Sequence, residues 1–236
     1  LRNRAEAALR DSSGAPAYRD GLVKTIEEAD ELIKTFNALL LIARLEGGAV
    51  ADAMSDVDPA AVVRDVAELY EPSIEEAGLM LSTQLENGLV LSANRQLIGQ
   101  AIANLVDNAI KYSPRVAANG TAMPAGEIAV RVARAGSTIE ISVGDRGPGI
   151  PLEDRDRALK RFVRLEKSRS APGSGLGLSL VAAVAGLHGG TVRLEDNAPG
   201  LRVVLVLPQA APPRALPPAP EHGPISLEAA GARPAV

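Results

Sequence analysis

The chain has 236 residues, 46% hydrophobic and 23% charged, with a net charge of −4, which is enough aliphatic material for one large domain or two small ones. With 2 Phe, 3 Tyr and no Trp, it lacks the stacking platform of a single-stranded nucleic-acid binder, and its acidic balance lacks the basic stripe that grips duplex DNA. The absence of cysteine excludes disulfides, thiolate catalysis and cysteine-ligated metal centres, and His188 and His222 stand too far apart, in unlike contexts, to make a metal site.

Residues 1–10 read as helix from the first residue, with Leu1, Ala5, Ala8 and Leu9 on one face. No capping residue precedes them, so the natural N-terminus is expected upstream. Asp11–Pro16 breaks this helix, and a second is predicted from Tyr18 to Leu45. Its apolar positions, Leu22, Ile26, Ala29, Ile33, Phe36, Leu40 and Ala43, step alternately by four and three, which is a coiled-coil or bundle seam. Gly47-Gly48 ends it. The hairpin of residues 1–48 either packs on its own downstream domain or joins a second copy as a four-helix homodimer bundle. The second reading is adopted because two helices alone bury little apolar surface.

The second unit spans residues 51–207. Asp58-Pro59 starts a helix, with Asp as cap and Pro in the first turn. Strands are predicted at Leu79–Leu85 and Leu89–Leu91 as a hairpin about Asn87-Gly88. Asn94 caps a helix to Tyr112, and residues 113–126 form a loop. Strands follow at Ile128–Val132 and Ile139–Val143, then a short helix near Asp154–Arg161, a helix over Gly175–Leu187, and a hairpin of Thr191–Leu194 with Leu201–Leu207. Strand pairs lie beside helices without strict alternation, so the fold class is α+β: a two-layer sandwich with a mixed sheet. From Pro208 the chain is rich in Pro and Ala without periodic apolar residues, which predicts a disordered tail over 208–236, either a solvated linker or an interaction segment.

Three segments carry chemistry. On the helix Asn94–Tyr112, the residues Asn104, Asn108 and Lys111 share one edge of the apolar stripe. Mid-helix Asn competes for backbone hydrogen bonds. Two of them one turn apart beside a lysine make either a solvated polar edge or a site in which an amide oxygen serves magnesium and the lysine meets phosphate. Asp145-Arg146-Gly147-Pro148-Gly149-Ile150 follows a strand. It is either an ordinary turn or a carboxylate, suited to an exocyclic amine, beside a backbone that a ligand can approach closely. Gly173-Ser174-Gly175-Leu176-Gly177-Leu178 opens a helix whose free N–H groups favour an anion. Its spacing is neither a Rossmann fingerprint nor a Walker A loop. The basic residues before that turn make either a solvated charged loop or a cluster that neutralises a polyphosphate, and Arg164, Lys167 and Arg169, nearest the turn, are the candidates for the second.

In order, Asn104–Ser113, Asp145–Ile150, Arg161-Phe162-Val163-Arg164 and Gly173–Leu178 resemble the N, G1, F and G2 boxes of two-component sensor histidine kinases, in the superfamily that includes gyrase, MutL and a heat-shock chaperone. The resemblance covers residues 51–207 and implies a Bergerat-type ATP-binding fold. It implies that Asn108 holds Mg2+ with Asn104 in support, that Lys111 and Tyr112 line the nucleotide, and that Asp145 accepts from the adenine amine. Gly147 and Gly149 would shape the adenine pocket and Phe162 anchor an ATP lid. Arg164 and Arg169 would approach the phosphates, and Gly173, Ser174, Gly175, Leu176, Gly177 and Leu178 would close over them. His188-Gly189-Gly190 falls at a structural helix end and is given no catalytic role. The hairpin before this unit resembles the dimerisation and phosphotransfer domain.

The family's hydrolytic members carry a Glu one turn before the magnesium-binding Asn. Here that position is Asn104, whose amide cannot act as a general base, so bound ATP is expected to be kept for transfer to a protein side chain. No His precedes His188. The phosphoacceptor is therefore expected upstream of Leu1, and the chain as given is expected not to phosphorylate itself. The longer protein is expected to pass the γ-phosphoryl to that histidine and on to an aspartate of a response-regulator receiver domain. No apolar run reaches membrane-spanning length and no signal peptide opens the chain, so this segment is expected to be cytoplasmic, with no membrane or nucleic-acid contact of its own; the resemblance implies that the longer protein is an inner-membrane sensor. Two other readings are a dimeric nucleotide-binding scaffold without kinase turnover and an anti-sigma-type serine kinase.

Overall fold

A computed structural model of the chain describes residues 15–46, 54–113, 126–165 and 174–209. The elements in order are α1 (Ala15–Glu46), β1 (Ser55–Val57), α2 (Pro59–Glu76), β2 (Met80–Leu85), β3 (Leu91–Ala93), α3 (Arg95–Tyr112), β4 (Glu127–Ala135), β5 (Thr138–Gly144), a 3-10 turn (Leu152–Asp154) running into α4 (Arg155–Ala158), α5 (Gly177–Leu187), β6 (Thr191–Asp196) and β7 (Leu201–Pro208). The predicted helix over residues 1–10, most of the loop over 113–126 and nearly all of the tail lie outside the described residues.

Five strands form one sheet in the order β2-β4-β5-β7-β6. β2 and β4 run parallel, and the other neighbours are antiparallel. Alternation along the strands sends one set of side chains inward. Ile128, Val130 and Val132 of β4, Ile139, Ile141 and Val143 of β5, and Val203, Leu205 and Leu207 of β7 are buried, and register sets Ile141 opposite Leu205 and Val132. α2, α3 and α5 cover this face with their own buried stripes, among them Val62, Val63, Ile98, Ile102, Leu105, Leu180 and Val184. The opposite face carries ion pairs such as Arg193 with Glu140 at 3.0 Å. This is the expected two-layer α+β sandwich with a mixed sheet.

The expected hairpin of Leu79–Leu85 with Leu89–Leu91 does not form. β2 pairs with β4 instead, and β3 pairs antiparallel with β1, Ser55 opposite Ala93. The reason lies in the caps. β1 runs into Asp58, which accepts from Ala60 N–H at 2.9 Å, and β3 runs into Asn94, which accepts from Leu97 N–H at 3.1 Å. Pairing the two short strands sets the N-termini of α2 and α3 side by side. It leaves β2 free for the parallel position, which needs a crossover through α3 to reach β4.

α1 divides into two stretches. Near its C-terminal end Ile42 is fully buried, and Ala38 and Leu41 pack with it where α1 meets α5. On the predicted seam Ile26, Ile33 and Phe36 are about 60% exposed, so among the described residues nothing covers that face. The buried end agrees with packing on the downstream domain.

α3 and α5 are joined at both ends. Asn94 N–H donates to His188 Nε2 at 3.0 Å, and His188 Nδ1 lies 2.7 Å from Val184 O. A backbone N–H only donates, so Nε2 accepts and the ring proton sits on Nδ1. His188 is the residue that closes α5, as its structural reading requires. Replacing it by Ala strands the buried Asn94 N–H. We expect His188→Ala to lose about 1–3 kcal/mol, seen as a fall of several degrees in Tm by scanning calorimetry; an unchanged Tm would remove this joint from the account.

Candidate functional site

α3 is the spine of the site. Its apolar stripe fixes its rotation on the sheet, which turns Asn104 and Asn108 toward α5. A Cβ placed on Gly177 would lie 3.3 Å from Asn108 Nδ2 and 3.6 Å from Asn104 Oδ1, so the missing side chain at the start of α5 makes room for both amides. Asn104 Nδ2 donates to Gln100 O at 2.8 Å, which leaves its oxygen facing that space. One turn further on, Lys111 Nζ sits 4.9 Å over the Tyr112 ring. On the opposite flank of α3, Tyr70 of α2 hydrogen-bonds Asp107; burial first, then that neighbouring carboxylate, push the phenol pKa up.

The α3 C-terminus meets the segment after β5. A Cβ on Gly147 would lie 2.6 Å from Tyr112 O and 2.9 Å from Asp145 Oδ1, so only glycine lets these chains approach. Asp145 is 8% exposed. Its Oδ1 accepts from Gly147 N–H at 2.7 Å and Leu201 N–H at 3.2 Å. Its own N–H donates to Leu201 O at 2.9 Å, and its carbonyl accepts from Asn197 Nδ2 at 2.7 Å. Among the described residues no hydrogen bond reaches Oδ2. Burial raises the carboxyl pKa against the lowering effect of the Gly147 and Leu201 N–H groups.

Gly149, with φ +67°, stands where a side chain would meet Gly200 O at 2.8 Å. The chain then leaves the site through Arg155, whose guanidinium donates to Ile150 O at 3.2 Å and Leu194 O at 3.0 Å. That arginine is a brace and not a phosphate ligand. Phe162 holds φ +60°, and its N–H donates to Gly175 O at 3.2 Å. Its ring is 60% exposed, so the segment is pinned here through the backbone. A Cβ on Gly175 would lie 3.2 Å from Arg164 Cγ, which brings Arg164 beside the glycine-rich turn. Leu176 is buried and Leu178 packs against the core, so these two side chains anchor the turn and do not line an opening. Ser174 is half-buried. Lys167, Arg169 and Gly173 lie outside the described residues.

The structure thus brings Asn104, Asn108 and Gly177 together at one point of α3, and Tyr112, Gly147 and Asp145 together at another. From Asn104 to Tyr112 the helix rises about 12 Å. The sequence reading missed Asn197, Gly200 and Leu201, which hold Asp145 from the β6–β7 turn. Their only signal was the Asn-Ala-Pro-Gly turn itself, which reads equally well as a plain hairpin connection.

Residues 93–211 match the family described as histidine kinase-, DNA gyrase B-, and HSP90-like ATPase. The chain is 34% identical over 207 residues to the sensor-like histidine kinase SenX3 of Mycobacterium tuberculosis, covering 86% of this chain and 48% of that protein. It is 32% identical over 222 residues to the sensor protein kinase PmrB of Pseudomonas aeruginosa, covering 93% and 44%. The chain therefore spans about half the length of the curated relatives it matches. Among solved structures, the mycobacterial sensor histidine kinase MprB superposes with a TM-score of 0.56 at 30% identity, covering 66% of this chain and 97% of that one. Full-length ShkA in complex with AMPPNP superposes with a TM-score of 0.67 at 26% identity, covering 84% and 40%.

The folded state holds the Asp145 proton more tightly than the unfolded chain. The stability this group contributes is therefore present below the unfolded pKa and is lost as pH rises through the folded one. Asn at this position keeps an acceptor for both N–H groups and removes the buried charge. We expect Asp145→Asn to match or exceed the parent's Tm near pH 7, with any advantage shrinking toward about pH 4. Scanning calorimetry across that range checks this, and a variant several degrees less stable at neutral pH contradicts it.

Proposed function

The chain belongs to the histidine kinase-, DNA gyrase B- and HSP90-like ATPase family, and from that premise we propose that it binds Mg-ATP along α3 and, within a longer sensor kinase, delivers the γ-phosphoryl to a histidine. The observation that carries this reading is Asp145: a buried carboxylate with one oxygen satisfied by the main chain and the other, among the described residues, left to accept. Such an oxygen suits an adenine amine, beside a backbone that glycines keep bare. AMPPNP in the structure of ShkA supports the same ligand class.

The phosphates belong at the other point of α3. Asn108 and Asn104 present amide oxygens there, next to the N-terminus of α5 with its free N–H groups. Among the described residues no group of three or more His, Cys, Asp or Glu side chains is arranged to hold a metal. A cation at this place would therefore rest on neutral amide oxygen, water and phosphate, a donor set that suits Mg2+ and not a softer metal. Asn108 would hold it, and bound there it supplies charge neutralisation for the triphosphate. Lys111, Arg164 and Arg169 add positive charge, and Gly173–Leu178 with Phe162 fold over the phosphates.

In the transfer, a nitrogen of the acceptor imidazole attacks the γ-phosphorus, the bond from that phosphorus to the β–γ bridging oxygen breaks, and ADP leaves. The protein's part is positioning and charge stabilisation. With Asn104 in place of a general base, water is not activated and the phosphoryl is kept for the histidine. That group then passes to an aspartate of a response-regulator receiver domain. In this scheme residues 51–207 are the catalytic unit, residues 1–48 contribute to a homodimer through the exposed seam of α1, and 208–236 is a linker. No described helix is long and apolar enough to cross a membrane; the scheme makes this segment the cytoplasmic portion of a membrane-anchored sensor.

Isothermal calorimetry with ATP and magnesium should give saturable binding at or below millimolar concentration. Asp145→Asn should weaken it at least tenfold, about 1.4 kcal/mol, and Asn108→Ala should remove its dependence on magnesium. Absence of heat at millimolar ATP overturns the reading. In the full-length protein, labelled ATP should leave an acid-labile, base-stable label that Asn108→Ala abolishes; a label that survives acid points to another acceptor.

A further inference from the structure

We propose that Asn197, in the turn between β6 and β7, is the positioning residue that sets the aim of Asp145 and so the preference for a 6-amino purine. The inference rests on the nucleotide reading above. Among the described residues, four hydrogen bonds hold Asp145 and none of them reaches Oδ2. Three of the four join main chain to main chain or main chain to the carboxylate itself, and no substitution outside Asp145 removes them cleanly. The fourth, Asn197 Nδ2 to Asp145 O at 2.7 Å, comes from a side chain.

The surroundings are built to admit that amide. Gly144, the last residue of β5, has no positive φ that would call for glycine. A Cβ there would nevertheless lie 3.1 Å from Asn197 Nδ2, so the bare position is occupied by the amide. Gly200, with φ +117°, approaches so closely that a Cβ would overlap Asp145 O. Asn197 is held in its turn by its own N–H to Gly200 O at 3.2 Å, and its carbonyl accepts from Arg146 at 3.4 Å. The peptide after Asp145 is thus clamped from the neighbouring hairpin. Loss of the amide frees that peptide to rotate and Oδ2 to swing, while the phosphate end, on α3 and α5, is untouched.

The test compares ATP with purine riboside triphosphate, which lacks the 6-amino group, on the same protein. The parent should prefer ATP, and Asp145→Asn should erase the preference. Asn197→Ala should weaken ATP about five- to tenfold, the worth of one hydrogen bond, and leave purine riboside triphosphate within about twofold, so the selectivity ratio falls. Asn197→Asp, which fills the same space without a donor, should do the same if the Ala variant folds poorly. An equal loss for both nucleotides, or no loss for either, overturns the role of Asn197 while the Asp145→Asn result still stands. A parent that shows no preference for ATP, or binds neither nucleotide, sinks the base-reading role of Asp145 and this inference with it.

Discussion

The backbone ladder between β5 and β7 is the constraint on which the rest depends. It sets Gly144 opposite Arg202 and continues one step past the strand end, where Asp145 N–H reaches Leu201 O. Because strand side chains alternate, a slip of one residue would turn Ile139, Ile141 and Val143 out of the core. The apolar cost of that slip holds the register, and the register places Asp145 against the β6–β7 turn. Core packing therefore aims the Asp145 carboxylate, and the Asn197 amide of the β6–β7 turn holds the peptide that follows it. Part of that aim is held at a cost, since a charge at Asp145 is buried with only backbone N–H groups to offset it.

The second organising element is α3. One face of it is hydrophobic and seals the sheet; the edge of that face carries Asn104, Asn108 and Lys111. Two of its contacts with α5, at Gly177 and at His188, lie at opposite ends of the shared surface. The start of α5, where the glycine-rich turn delivers its N–H groups, is thereby located relative to the amides of α3. The F segment joins the same place through Phe162 N–H and Gly175 O, which explains why an exposed ring can belong to a well-placed turn.

Much of this was legible in the residues. Helix caps at Asp58 and Asn94 and the period of α3 depend on local chemistry, and each places its element within a residue or two of its position. The failures came where partners are distant in sequence. A three-residue strand at Ser55–Val57 carries no periodic signal, so its pairing with β3 leaves no trace in the sequence, and Asn87-Gly88 reads as a hairpin turn because that dipeptide is usually one. The side chain of Leu176, within the glycine-rich turn, belongs to the core. Asn197 went unnoticed because its partner lies more than fifty positions away.

The tip of a β-hairpin is usually the most permissive place in a sheet, where natural sequences gain and lose residues with little effect. The β6–β7 tip is denied that freedom. Asn197 reaches Asp145 O, and Gly200 closes against it, across a tip four residues long, from Asn197 to Gly200. Insertion of one residue there would shift the Asn197 amide off the Asp145 carbonyl while leaving both strands intact. Drift in length should thus be confined to the other connections of this fold, and the number of residues in this small turn becomes as much a signature of the site as the aspartate itself.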